Sequence, residues 1–108
     1  MSDIINLDRA YSAPIQYPIG VTETIEWCWE DVTELTDTYK IIIATASGTI
    51  IETITEDDTI LKRVDNTLIW KVNYEKGVIA VNRYDYEVWN VTQDYIKFKG
   101  KFEVTKTI

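Results

Sequence analysis

Residues 96–105 read IKFKGKFEVT. Ile96, Phe98, Phe102 and Val104 share one parity with Gly100, and Lys97, Lys99, Lys101 and Glu103 share the other. Side chains of a strand point alternately to its two faces, so a period of two predicts a half-buried β-strand. A glycine on the inward parity predicts a bulge or a close backbone approach. A lysine row on a terminal strand is one way to discourage edge-to-edge pairing.

The same alternation recurs upstream. Over residues 21–30, Val21, Ile25, Trp27 and Trp29 oppose Thr24, Glu26, Cys28 and Glu30. Over 67–73, Leu68, Trp70 and Val72 oppose Ile69, Lys71 and Asn73. Over 83–92, Tyr84, Tyr86 and Val88 oppose Asp85, Glu87 and Trp89. Residues 38–46, TYKIIIATA, are almost continuously apolar, as in a strand central to a sheet. Turn chemistry separates the runs: Gly20, DVTELTD, Ser47-Gly48, EDDT, Asp65-Asn66 and Glu75-Lys76-Gly77. TIIETIT (49–55) returns after the second of the glycine turns.

No segment keeps a 3.6-residue apolar period with caps at both ends. The expected fold is therefore all-β: an antiparallel immunoglobulin-like sandwich of about seven strands, spaced roughly eight to twelve residues apart. Antiparallel pairing is expected because the connections are too short for crossovers. Residues 1–19 read as an extended N-terminal arm or first edge strand, since Pro14 and Pro18 cannot donate to a ladder. Residues 20–108 read as the sandwich.

Composition removes most chemistries. With 108 residues, one domain with a single core is expected. Without histidine, the commonest general base near neutral pH is missing. The single cysteine, Cys28, rules out an internal disulfide, and with no histidine the usual zinc ligands are lacking too. Net charge is −7, which disfavours nucleic acid. No apolar run approaches the length of a membrane helix, and MSDIINLDRAYS carries no secretory pattern. Charge is polarised, with acids concentrated in 22–65 and lysines in 95–108.

Trp27, Trp29 and Trp70 share parity with aliphatic neighbours and are expected in the core, leaving Cys28 outward between Glu26 and Glu30. Trp89 lies on the polar parity and is a candidate contact residue. Glu26 and Glu30 are too far apart along one strand, ~13 Å, for a glycosidase pair. Glu56-Asp57-Asp58 lacks the spacing and glycine of a calcium loop. Asn90-Val91-Thr92 matches a glycosylation sequon with no secretory context. No catalytic, cofactor or metal site is expected.

The order of segments resembles small immunoglobulin-like sandwich domains of phage and prophage virion proteins, including the N-terminal domains of baseplate upper proteins. The likeness rests on GVTETIEWCWED (20–31), LTDTYKIII (35–43), DNTLIWKV (65–72), YDYEV (84–88) and GKFEVT (100–105). It implies a non-enzymatic virion structural protein made in the host bacterial cytoplasm: a capsid decoration or head fibre, neck or baseplate component. The implied partners are other virion proteins and further copies of the chain, with no nucleic acid and no membrane. Within that setting the arm is expected to dock on a neighbour through Ile4, Ile5, Leu7 and Tyr11, with Trp89 on the sandwich surface. The alternative is a carbohydrate-binding module, making at least a weak glycan contact through Trp89 and exposed tyrosines.

Overall fold

The computed structural model describes residues 11–12, 14–75 and 78–106. Within them run nine strands: β1 (Tyr11–Ser12), β2 (Ile15–Pro18), β3 (Thr22–Cys28), β4 (Tyr39–Ala44), β5 (Ile50–Thr55), β6 (Leu61–Val64), β7 (Thr67–Asn73), β8 (Asn82–Asn90) and β9 (Tyr95–Thr105). They form an all-β sandwich. The larger sheet runs β1-β9-β8-β4-β5, with β2 also on β9, and the smaller runs β3-β7-β6.

Alternation places the core. Trp27 and Trp29 from the small sheet, and Tyr86 and Phe98 from the large one, meet between the layers. The ring centroids of Trp27 lie 6.0 Å from both Tyr86 and Phe98, and Trp29 lies 5.2 Å from Phe98. Trp70 is stacked on Trp27 and tilted against Phe102. The expected inward tryptophans are thus all buried, and Cys28 is exposed. Each such ring removes roughly 200 Å² from water, several kcal/mol of driving force. β4 lies between β8 and β5, as its apolar run predicts, with Ile41 and Ile43 fully buried.

Four expectations need correction. The strands number nine among the described residues rather than about seven. β6 shows no alternation because LKRV is short and half charged, and β1 and β2 divide the segment expected as a single edge strand. Pairing is not wholly antiparallel: β1 and β2 lie parallel to β9, with Tyr11 opposite Phe98 and Ile15 opposite Phe102. The intervening β3–β8 chain is long enough to serve as the crossover that parallel pairing needs. β9 is consequently interior, not terminal. Charges of β9 meet complementary ones on β8: Lys101 pairs with Asp85, Glu103 lies 3.8 Å from Arg83, and Lys99 is opposite Glu87 in the ladder.

Finally, the register slips at Val88/Trp89, so Val88 faces Phe98 while Trp89 faces Ile96. This bulge, rather than Gly100, breaks the ladder, and it moves Ile96 off the face of Phe98. Gly100 sits opposite Tyr86.

β2 is built into the core. Tyr17 is fully buried; its hydroxyl donates to the Val21 carbonyl at 2.6 Å and accepts the Tyr74 amide at 2.7 Å. Ile19 is buried beside it. The residues that enter from the N-terminal side therefore tie both sheets together at that edge.

Candidate interaction surfaces

Of the expected contact residues, Ile4, Ile5 and Leu7 lie outside the described residues. Tyr11 opens β1, where its backbone lies against Phe98 of β9. Trp89 is half-buried on the outer face of the large sheet. Its indole N–H donates to Glu87 Oε1 at 2.9 Å, and Lys40 Nζ sits 5.6 Å from the ring centroid. One face of the indole thus already carries a cation. Trp89 and Tyr11 do not share a strand: β9 separates β8 from β1.

The acidic turns have structural work. Asp57 Oδ1 accepts the amides of Thr59, Ile60 and Leu61 at 2.9, 2.7 and 3.3 Å. These bonds, that from Ile60 foremost, hold its carboxyl below the usual carboxylate range. Glu56 accepts the Tyr39 amide at 2.6 Å and pairs with Arg63 at 2.7 Å. Among the described residues no group of three acidic or cysteine side chains is placed to hold a metal ion. Asn90 of the sequon is buried, donates its amide to Asp37 at 3.0 Å and accepts from the Gln93 amide at 2.9 Å, so it offers nothing to a glycan in the folded chain. Glu26 points out of the small sheet while Glu52 points into the sandwich, which keeps them from forming a catalytic pair.

A feature invisible in the sequence lies along β5. This strand ends the large sheet, and among the described residues no strand pairs with its far side. Ile50 and Ile51 are exposed here, at 59% and 41%. The six residues of β5, IIETIT, include no lysine and no proline. Its one charge, Glu52, sits opposite the buried Ile43 and accepts a hydrogen bond from Tyr74 Oη at 2.6 Å. Burial first, and that bond second, push the Tyr74 phenol far above its ordinary pKa.

Beside Glu52 the two sheets part into a cleft of about 300 Å³, lined by Ile60, Trp70, Val72 and Tyr74 among others. Its walls are mixed: Ile60, Trp70, Val72 and Tyr74 supply apolar surface, and Glu52, Thr59, Lys71 and Asn73 supply polar groups, in a volume at the small end for ligand pockets. A larger hollow of about 490 Å³ near Pro14 is floored by the Asp85–Lys101 pair, so its charges satisfy each other. The β5 cleft could not be read from periodicity, because it arises where β7 runs on past the start of β6, across from Glu52.

No protein-family model matches the chain, and no curated protein matches it significantly.

Proposed function

We propose that this chain is a non-enzymatic structural protein of a phage virion, a capsid decoration or head fibre, neck or baseplate component, repeated as a homo-oligomer or set among other virion proteins. The segment likeness to immunoglobulin-like virion domains supplies the setting. The observation that carries the reading is the path of the N-terminal chain. Tyr11–Ser12 and Ile15–Pro18 follow β9, and buried Tyr17 and Ile19 anchor this part of the chain. In sequence, Ile4, Ile5 and Leu7 precede a strand that is held on β9. Apolar side chains delivered this way suit docking along a neighbour's surface.

Removing residues 1–10 tests this reading, because it spares β1 and β2. The expected outcome is a chain with an unchanged cooperative unfolding transition that no longer assembles or enters particles. Equal loss of folding and assembly would count against docking.

A carbohydrate-binding module is the second reading, favoured by the place of Trp89 on an outer sheet face beside Ile96. A sugar would have to stack on the ring face opposite Lys40, or displace that lysine. Glycan binding that vanishes in Trp89→Ala would support it.

A further inference from the structure

We propose that the open β5 edge and the cleft beside it form an acceptor for the N-terminal residues of a neighbouring copy, which add there as an extra strand. This inference rests on the assembly reading above and names its partner surface.

Two independent features converge at this place. First, β5 is a terminal strand with no proline and no outward charge along it. The other outer strands are blunted: β2 ends in Pro18, β3 carries Glu23 and Glu26, and β6 is four residues long with Lys62 and Arg63. β5 has neither proline nor lysine; its carboxylate is turned inward and bonded to Tyr74, and its one bulge, at Ile43/Ala44, lies at its start and leaves Glu52–Thr55 in regular register. Second, the cleft opens on the inner side of the same strand. Strand addition draws affinity from main-chain hydrogen bonds and selectivity from pockets that take alternate side chains. A strand edge unpaired among the described residues, beside a partly apolar cleft, supplies both.

The chemistry selects the occupant. A second β5, paired antiparallel about Thr53, would set its Glu52 against Ile54, adding a carboxylate to a side that already holds one. Paired about Glu52, it would oppose two carboxylates directly, which is destabilising. The segment DIINLD, residues 3–8, carries Ile5 and Leu7 on one parity; Asp3 shares it, but at the segment's end, where its carboxylate can stay in water instead of facing Glu52. Those two side chains can enter the cleft toward Ile60 and Val72. Ile4 then falls on the outer side of the sheet, which at this edge already carries exposed Ile50.

Topology adds a consequence. β1 and β5 occupy opposite edges of the large sheet. Donor and acceptor therefore lie on different surfaces, and the contact is head-to-tail. Such contacts close into rings or continue as filaments.

The test uses the full chain. Sedimentation is measured for the parent and for Ile60→Glu, which places a carboxylate at the cleft on a residue already 47% exposed. The expected result is self-association in the parent, weakened at least about tenfold in the variant with its unfolding transition unchanged. In parallel, two Cys28→Ser chains are mixed, one carrying Leu7→Cys and the other Ile60→Cys. An oxidised cross-link between them is expected.

A parent that stays monomeric overturns the inference and leaves docking on other virion proteins standing. Assembly that survives Ile60→Glu but fails without residues 1–10 places the arm elsewhere, and again overturns only this inference. Efficient homodimer cross-linking of a Thr53→Cys chain that also carries Cys28→Ser, without the mixed product, replaces the arm by β5 of a second copy. If Ile60→Glu does not fold, the mixed cross-link decides alone.

Discussion

The two edges of the large sheet make opposite use of similar residues. At one edge, β1 and β2 cover β9, and Tyr17 locks them down with a buried ring and two hydrogen bonds. At the other, β5 carries isoleucines just as apolar, yet Ile50 and Ile51 are exposed and one side of the strand is unpaired in the described structure. Apolar sequence alone does not say whether a strand will be interior or edge. What decides is whether another segment of the chain arrives to cover it.

The largest expected effect breaks the covered edge. Tyr17→Ala removes a fully buried ring packed on Phe102 and Tyr74, and strips the Tyr74 amide of its acceptor. Large-to-small core changes of this kind cost about 3–5 kcal/mol, a large share of a small domain's stability. Denaturant titration should show the midpoint collapse with β2 released from β9. A loss below about 1 kcal/mol would mean that β2 is an accessory to the sandwich, and the contrast between the edges would dissolve.

These elements also show how far the residues speak for themselves. Alternation alone located β3, β7, β8 and most of β9, and it put Trp27, Trp29 and Trp70 inside, because one face of each strand had to be buried. It could not show that β9 is interior, since its lysines look the same facing solvent at an edge as facing Asp85 and Glu87 within a sheet. Ile96 was misplaced by a bulge, which shifts parity without leaving a compositional mark. β6 escaped because four residues with two charges carry no period. The β5 cleft depends on the relative reach of three strands in two sheets, a long-range property with no local signal.

A second, intermediate effect distinguishes the sheet interior from its open side by alkaline titration. Burial raises the phenols of Tyr39 and Tyr86 from 10.0 to about 12. Tyr74, beside the open edge, is raised by burial and by its bond to Glu52. A phenol whose pKa is higher in the folded chain stabilises the fold fully below its unfolded value. That contribution is lost as pH rises through about 10 toward 12. Stability to denaturant should therefore fall across this interval, with these three phenols ionising as the chain opens. Glu52→Gln removes a neighbouring carboxylate, so phenolate absorbance should show Tyr74 ionising at lower pH while Tyr39 and Tyr86 keep their position. If all three shift together, the open side is not electrostatically separate from the interior.

The smallest effect is the one the bare edge requires. Ile50→Lys exchanges an isoleucine that is mostly in water, paired on one side only with Ala44, for a residue that edge strands commonly carry. Surface changes of this kind usually stay within about 0.5 kcal/mol, so the unfolding midpoint should barely move. The lysine stem can still cover the neighbouring apolar surface while its ammonium reaches water. The same substitution should weaken self-association, because an incoming strand would have to desolvate the new charge. Stability and assembly thus respond to different edges: Tyr17→Ala costs folding, and Ile50→Lys costs only contact between copies. A substantial loss of folding stability in Ile50→Lys would show that this isoleucine is already covered within its own chain, and β5 would then have no free edge to offer.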